Sequence, residues 1–406
     1  MKPITIVDAR TGRGKSSAAI QYMNDHKDTK HFLYVTPFLT EVNRICKQCG
    51  FEQPESKKKS KSSELKKCLR QGKDMAATHA LFYLMDDEAL DIIREKKYSL
   101  IIDENIQVVE RLNISKGDFD TVIERFTYEK DGLLHWKDKN YTGQFSGYKE
   151  MADANSLCTL DGALLNIMNP NLLRAFDEVF MLTYLFDGQY QKAYLEYYGF
   201  KFKVVGVECT DDGYMFSDMP DNPPPIDYHP LINIVDNPRM NEIGNSRYSL
   251  SKAWFARRGH DNPDIRVLRN NLRNFYRGLP NSKSDTRLWT TFKEDKNKLV
   301  EPNSGRFKKS FLQIGARATN EFRDKTDIAY LVNRFVDPNL MKFFRQRGIV
   351  LDADSFALGE MLQWIWRSAI RDDKPINLYI PSKRMRTLLT NWIDRTSKEG
   401  GAANAQ

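Results

Sequence analysis

The stretch that decides the fold is residues 8–16, which read Asp8-Ala9-Arg10-Thr11-Gly12-Arg13-Gly14-Lys15-Ser16. A short apolar run, residues 4–7, precedes it, and a helix-forming segment follows from Ser17. A strand, a glycine-rich turn and a helix in this order predict a phosphate-binding loop, because the free N–H groups and the dipole of a helix N-terminus attract anions. Glycine in the turn lets the backbone approach the phosphates with its N–H groups turned inward.

The residues of this loop have expected roles in nucleotide binding. We expect the ammonium group of Lys15 to reach the β- and γ-phosphates of ATP and the hydroxyl of Ser16 to ligate Mg²⁺. The remaining contacts to the nucleotide are assigned to the loop as a whole, namely Ala9, Arg10, Thr11, Gly12, Arg13, Gly14 and Ser17. ATP and Mg²⁺ are therefore the predicted cofactors.

Short apolar runs alternate with helix-forming segments along the chain. In the first half they lie at residues 4–7, 32–35, 75–78, 99–102, 179–183 and 203–207, and in the second half at residues 287–292, 328–335 and 377–380. This alternation is typical of βαβ units and predicts an α/β fold with parallel sheets.

The clearest break in the chain is Asp221-Asn222-Pro223-Pro224-Pro225, because proline-rich segments interrupt both helices and strands. We predict an N-terminal ATP-binding domain over residues 1–220 and a C-terminal domain over residues 228–397. Residues 111–170 have weak periodicity and are expected to form a helical insert in or after the first domain. The tail, residues 398–406, is expected to be disordered.

Two carboxylates, Asp103 and Glu104, follow a strong apolar run at its C-terminal end. Open parallel sheets bind their ligands at this end of the strands. A phosphate loop needs an acid near Mg²⁺ and a second group that orients or deprotonates the attacking water. We therefore assign metal binding to Asp103, together with Ser16, and activation of water to Glu104.

A third set of polar residues, Gln363, Arg367 and Arg371, is spaced by four residues. On a helix this spacing puts all three side chains on one face. Arginines that face a γ-phosphate stabilise the charge of the transition state. We therefore predict that this set contributes to catalysis, with either arginine as the one that reaches the phosphate.

These segments resemble the sequence motifs of superfamily 2 helicases. Residues 8–16 resemble motif I, Asp103-Glu104 resembles motif II, and residues 363–371 resemble motif VI, although Trp366 replaces a glycine and the last arginine comes one residue late. Weaker matches are Thr36-Pro37 to motif Ia, Leu182-Thr183-Tyr184 to motif III, Trp289-Thr290-Thr291-Phe292 to motif IV and Gly315-Ala316-Arg317-Ala318-Thr319-Asn320 to motif V. Thr78-His79 matches a Thr-His element. The resemblance implies two RecA-like domains and an ATP-driven helicase of the phage or prophage replication type, with replication proteins as further partners.

The chain is basic, with a formal net charge of +8, and the excess is concentrated. Residues 239–323 contain 19 Lys and Arg against 8 Asp and Glu. Aromatic residues are mixed with them: Trp254, Phe255, Phe275, Tyr276, Trp289 and Phe292. Cations with aromatic rings are typical of single-strand binding, so nucleic acid is the predicted partner, with single-stranded DNA favoured over RNA. The alternative is a domain core with a basic surface.

Other interpretations stay open at this stage. The chain could be a nucleic-acid-binding ATPase switch or loader that does not unwind, or a DNA-packaging motor. Cys46, Cys49 and Cys68 could bind zinc, although four ligands are needed for a closed site and a second C-x-x-C is missing. Five cysteines, an odd number, and the lack of an apolar run long enough for a membrane span lead us to expect a cytoplasmic protein.

Overall fold

The computed structural model describes residues 2–54, 61–211, 213–220, 226–300, 309–315 and 321–399. The chain divides into two compact units. The first contains Met1–Asn222 and Asp337–Leu351, and the second contains Pro223–Val336 and Asp352–Gln406. The predicted break at residues 221–225, most of the motif V candidate (residues 316–320) and residues 400–406 of the tail lie outside the described residues.

The first unit is built around a seven-stranded sheet. Its strands are β1 (Ile4–Asp8), β2 (His31–Thr36), β3 (Met75–Thr78), β4 (Tyr98–Asp103), β10 (Glu178–Thr183), β11 (Phe202–Thr210) and β12 (Gly213–Ser217), in the order β12-β11-β1-β10-β4-β2-β3. All neighbours pair in parallel except β11 and β12. The described helices of this part are α1 (Lys15–His26), α2 (Leu39–Cys49), α3 (Lys61–Arg70), α4 (His79–Tyr83), α5 (Asp87–Lys96), α8 (Asn171–Arg174) and α9 (Tyr190–Tyr197).

The register of this sheet brings the predicted site residues to one edge. Asp8, the last residue of β1, is opposite Thr183 of β10. Leu182 of β10 is opposite Asp103, which ends β4. The central strands β1, β10, β4 and β2 are apolar in the middle and buried on both faces, as expected for parallel strands covered by helices. The buried strands therefore hold their polar C-terminal residues at fixed positions along this edge.

The insert between β4 and β10 contains both strands and helices. Its elements are β5 (Val109–Arg111), α6 (Lys116–Thr121), a π-helix (Val122–Phe126), β6 (Thr127–Lys130), β7 (Leu133–Trp136), α7 (Ser146–Asp153), β8 (Leu157–Leu160) and β9 (Ala163–Ile167). The strands β5, β9 and β8 form an antiparallel sheet and β6 pairs with β7. The insert has its own apolar cluster around Val122, Leu157 and Leu164. Its strands are short and lie in antiparallel pairs, so helix periodicity does not reveal them.

The second unit contains a four-stranded parallel sheet in the order β13-β16-β15-β14. Its described elements are β13 (Ile232–Ile234), α10 (Pro238–Asn241), α11 (Lys252–Ala256), α12 (Pro263–Gly278), β14 (Arg287–Thr290), α13 (Lys296–Leu299), β15 (Asp327–Tyr330), α15 (Ala353–Ile365), β16 (Ile376–Tyr379) and α16 (Lys383–Glu399). Helix α14 (Pro338–Arg345) belongs to the first unit. Within the described ranges, every helix is too short or too polar to cross a membrane.

Candidate active site

The loop between β1 and α1 has the backbone of a phosphate cradle. Gly12 and Gly14 both have φ of 87°, in the left-handed region that glycine adopts without strain. Gly14 is the N-cap of α1 and has no side chain to cap the first turn. A Cβ at this position would overlap the ring of Tyr214, which packs against the loop from β12. The first turn of α1 therefore begins at a position that only glycine fits.

Contacts with β10 hold the base of this loop. The N–H of Ala9 donates to the carbonyl oxygen of Thr183 at 3.1 Å. The carboxylate of Asp8 accepts from the N–H groups of Leu185 at 2.8 Å and Phe186 at 3.1 Å. Burial raises the pKa of Asp8, and these backbone donors oppose the shift. The loop is thus fixed at its first residue and is pre-organised for a ligand.

Lys15 is the first residue of α1, and its side chain turns back into the loop. Its Nζ donates to the carbonyl oxygen of Arg10 at 3.0 Å and also contacts that of Ala9. The positive charge is therefore held next to the N-terminus of α1, where the helix dipole adds to its attraction for an anion. Arg10 is buried and Thr11 and Arg13 are half-buried around it.

Ser16 and Asp103 come together although they are far apart in sequence. Ser16 Oγ donates to Asp103 Oδ1 at 3.4 Å. Burial is the main cause that raises the pKa of Asp103 to about 7, and the negative charges of Glu104 and Glu41 add to the shift. A hydroxyl and a carboxylate are hard oxygen ligands, and a nearby cation would offset the cost of the buried charge. The donor set therefore fits Mg²⁺.

Further polar groups surround Asp103. His79 Nε2 lies 3.0 Å from the carbonyl oxygen of Asp103 and donates to it when the proton is on Nε2. Tyr34 is fully buried on the neighbouring strand β2, and its hydroxyl lowers the pKa of Asp103. The hydroxyl of Thr36 is buried without a hydrogen-bond partner within the part of the chain that the structure describes. An unpaired buried hydroxyl is expensive, so a ligand or water is expected there.

Tyr34 is a neighbour of the site that sequence reasoning did not find. It stands in an apolar run, where an aromatic residue is expected to belong to the core. The register pairs it with Ile101 on β4, two residues before Asp103. Strand pairing, which sequence periodicity does not specify, therefore decides its position.

The segment after Asp103 is held by a hydrogen-bonded network. Glu104 has φ of 65°, an unusual conformation for a residue with a side chain, and such strain is common at functional sites. Asn105 Oδ1 accepts from Thr183 Oγ1 at 2.8 Å and from Gln191 Nε2 at 3.3 Å. The N–H of Ile106 donates to Gln191 Oε1 at 3.1 Å. The motif II and motif III candidates are thus directly connected.

The interpretation that Gln363, Arg367 and Arg371 share one helix face is wrong. Helix α15 ends at Ile365, and Arg371 lies in a separate 3-10 turn, Ala369–Asp372. The helix ends because the chain turns there: the N–H and Oγ of Ser368 both donate to the carbonyl of Ile365. The catalytic roles of the three residues stay predictions. Arg367 Nε is buried and, among the described residues, has no acceptor.

The stacking role is wrong for most of the aromatic residues in the basic segment. Five of the six are at most 5% exposed and belong to the core, namely Phe255, Phe275, Tyr276, Trp289 and Phe292. Periodicity did not separate them from surface rings, because the segment is polar overall while its helices bury one apolar face each. Trp254 alone is half-buried.

The cysteine pair behaves as part of the core. Cys46 and Cys49 pack against the apolar cluster under the sheet. Burial raises the pKa of Cys46, and it raises that of Cys49 to about 11. Within the described ranges, there is no group of three or more His, Cys, Asp or Glu side chains that could hold a metal ion. The structure therefore gives zinc no support at these residues.

Comparison with known proteins establishes the family. A model described as the YonV C-terminal Rossmann-like domain matches residues 227–393, and one described as the YonV middle domain matches residues 109–166. The SPbeta prophage-derived uncharacterized protein YonV of Bacillus subtilis (strain 168) is 36% identical over 415 residues, which cover 97% of this chain and 99% of that protein. The chain belongs to the YonV family. The middle domain of the family coincides with the insert between β4 and β10.

Solved structures establish the fold class. A chain described as apo XPD is similar to this one with a TM-score of 0.53 and 13% identity, covering 97% of this chain and 95% of that chain. Xpd4 of S. tokodaii gives a TM-score of 0.49 at 11% identity, covering 96% of this chain and 94% of that chain. The first likeness confirms the predicted α/β class with two RecA-like domains.

Proposed function

We propose that this member of the YonV family is an ATP-hydrolysing nucleic-acid helicase or translocase, acting on DNA in phage replication or recombination. The observation that carries the proposal is the convergence of Lys15, Ser16 and Asp103 at one sheet edge, with Ser16 Oγ 3.4 Å from Asp103. The prophage origin of the B. subtilis relative supports the biological setting.

The chain's own residues divide the work of hydrolysis. Residues Ala9–Ser17 hold the phosphates of ATP. Ser16 and Asp103 would hold Mg²⁺, which would supply charge neutralisation for phosphoryl transfer. Glu104 orients the attacking water and accepts its proton. Arg367 stabilises the developing charge on the γ-phosphate. We prefer it to Arg371 because its buried Nε lacks an acceptor within the described residues, as expected for a donor reserved for an anion.

The network around Asn105 offers a route from hydrolysis to mechanical work. It joins the residue next to Glu104 to the loop after β10 through Thr183 and Gln191. Movement of Glu104 on loss of the γ-phosphate would therefore shift the motif III candidate. We propose that this shift alternates the grip on a single strand.

The first experiment is to measure ATP hydrolysis alone, with single-stranded DNA and with single-stranded RNA, at fixed moderate salt. Strong stimulation by one polymer supports a translocating motor and identifies its track. Hydrolysis that is indifferent to both contradicts it and favours a switch. A strand-displacement assay with a tailed duplex then separates a helicase from a loader, because a loader hydrolyses ATP without releasing the second strand.

A further inference from the structure

We propose that a groove on the second unit, around Tyr248 and Trp254, binds single-stranded nucleic acid by stacking bases on these two rings and pairing phosphates with nearby arginines. We call this the Tyr248 groove. The inference rests on the proposed function and adds a specific binding surface to it. The surface differs from the set of aromatic residues that the sequence indicated, most of which are buried.

The Tyr248 groove is a shallow cavity of about 490 Å³. Its lining includes Arg239, Tyr248, Trp254 and Arg258, together with two carboxylates, Glu242 and Asp264, of which Asp264 pairs with Arg258. Cationic and aromatic side chains thus line the same concave surface. This composition is typical of sites that bind a single strand without reading its sequence, since every base has a stackable face.

Two aromatic rings are available to bases in this groove. Tyr248 is 59% exposed, although its ring lies 5.7 Å from that of Phe335 and the Arg247 guanidinium lies 5.5 Å from its centre. Trp254 is half-buried, with the Arg258 guanidinium 4.2 Å from its ring centre. A tyrosine ring with more than half of its surface exposed is accessible to a planar ligand.

The charge around the groove favours a polyanion. Residues 239–266 contain six Lys and Arg against three Asp and Glu. Arg239, Arg247 and Arg257 are exposed, and the described residues give none of them a carboxylate partner. Arg258, in contrast, pairs with Asp264 at 2.8 Å and therefore has a structural role. Three cations without carboxylates, beside two rings, complement a sugar–phosphate backbone.

The loop that carries Tyr248 is fixed near the carboxyl end of strand β15 of the second sheet. Asn333, just after β15, donates from Nδ2 to the carbonyl oxygens of Arg247 at 2.9 Å and Ser249 at 3.0 Å. Its N–H donates to the carbonyl oxygen of Leu250, a buried residue with φ of 62°. The loop that carries Tyr248 is thus tied to the carboxyl end of a parallel strand, where open α/β sheets bind ligands.

The test is the binding of fluorescein-labelled oligo-dT and oligo-U, followed by anisotropy in the absence of ATP. Tyr248→Ala is expected to weaken binding by roughly 5- to 100-fold, and Tyr248→Phe to retain it, because stacking needs only the ring. The matched control is Tyr128→Ala, which removes another tyrosine that is half-exposed, on the insert. This control is expected to bind as the parent does.

The charge contribution is tested by a triple variant, Arg239→Ala with Arg247→Ala and Arg257→Ala. The slope of log affinity against log salt is expected to fall by about 2, since each phosphate contact on a single strand contributes about 0.7. The control triple variant removes exposed cations of the first unit, Lys27, Arg125 and Lys130, and is expected to keep the slope.

The outcomes distinguish the groove from the proposed function. If Tyr248→Ala and the arginine triple variant both bind as the parent does, or if the parent binds neither oligomer, the groove is refuted. If only the triple variant weakens, base stacking is refuted. If both variants weaken while the parent hydrolyses no ATP with or without polymer, the groove stands and the proposed helicase activity fails.

Discussion

At the scale of single residues, the two glycines of the phosphate loop are held by different constraints. Both have φ of 87°, so any side chain is strained there. A Cβ at Gly12 would have nothing within 4 Å, whereas one at Gly14 would overlap the ring of Tyr214. Strain alone therefore operates at Gly12, and strain with a steric clash operates at Gly14.

This difference leads to a prediction for stability. Gly12→Ala should lower the free energy of unfolding by about 1 kcal/mol, through backbone strain alone. Gly14→Ala should lower it by roughly 2–4 kcal/mol, because the ring of Tyr214 must also move. Urea denaturation measures both. In a Tyr214→Ala background, Gly14→Ala should lower the free energy of unfolding by less than it does in the parent protein. Fully additive losses would exclude the clash.

Lys15 provides the most direct test of the nucleotide site. Lys15→Ala is expected to reduce ATP turnover by roughly 10²–10³-fold, because a charge at the phosphates acts mainly in the transition state. Its fold should be retained, because Lys15 is not part of the apolar core and its Nζ donates to carbonyl oxygens of the loop itself. Phosphate release and the thermal unfolding midpoint are the measurements. Lys27→Ala, an exposed lysine at the end of the same helix, is the control, and normal turnover in Lys15→Ala would refute the site.

At the scale of elements, the end of α15 changes the prediction for the arginines. Because the helix stops at Ile365, Arg367 and Arg371 no longer share a face and should not substitute for each other. Arg367→Ala is expected to lower ATP hydrolysis by about 10³-fold while the affinity for ATP changes much less. Single-turnover hydrolysis and equilibrium nucleotide binding separate the two effects. An equal loss in both would assign Arg367 to binding, and a larger loss of hydrolysis in Arg371→Ala would reverse our preference.

An ionic cluster joins the N-terminal ends of three strands of the first sheet, at the end opposite the phosphate loop. Glu178, which begins β10, accepts from Lys30 at 2.6 Å, from Lys2 at 2.9 Å and from the Tyr22 hydroxyl at 3.2 Å. Burial raises the pKa of Glu178, but the hydrogen bonds from Lys30 and Lys2 outweigh it and bring the pKa down to about 2. The ionised carboxylate thus stabilises the fold.

The sign of the pH dependence follows from this lowered pKa. The stabilisation is complete above the pKa of a free glutamate, about 4.3, and is lost as the pH falls towards 2. Glu178→Gln should lower the free energy of unfolding by on the order of 1–2 kcal/mol at pH 7, with a smaller difference at pH 3. Urea titrations at both pH values measure it. Asp177→Asn, which removes a more exposed partner of Lys2, should have little effect at either pH.

At the scale of the whole molecule, the order of residues does not match the division into units. Residues Asp337–Leu351 belong to the first unit, although both neighbouring segments belong to the second. Phe343 lies 5.4 Å from the ring of Tyr197, and the Arg347 guanidinium lies 4.8 Å from it. Lys342 pairs with Asp161 of the insert at 2.5 Å. A late segment therefore completes the packing of the first unit.

This packing predicts where a distant mutation acts. Phe344 is fully buried and its ring lies 6.4 Å from that of Tyr197. Phe344→Ala should destabilise the first unit by about 3–5 kcal/mol through the cavity it leaves. Hydrogen exchange should show lost protection in β8 and β9, whereas Phe275→Ala in the core of the second unit should affect β14–β16 instead. Loss confined to the second unit in Phe344→Ala would contradict the division.

The sequence by itself determined the strand–loop–helix of the phosphate site, the carboxylates at the end of β4 and the α/β class. These are local: a buried strand, glycine positions and an abrupt change from apolar to charged residues are all encoded within a few neighbouring positions. Composition also determined that residues 239–323 are basic.

Only the tertiary structure decided which of these residues meet and which side chains are exposed. Strand register places Tyr34 beside the strand that ends in Asp103. Helix α15 ends at Ile365, where Ser368 closes a turn, and five aromatic rings of the basic segment are buried in the core of the second unit. The exposure of Tyr248 depends on hydrogen bonds to Asn333, which is more than eighty residues away in the chain. Contacts of this kind depend on long-range packing, and periodicity within a short window does not contain them.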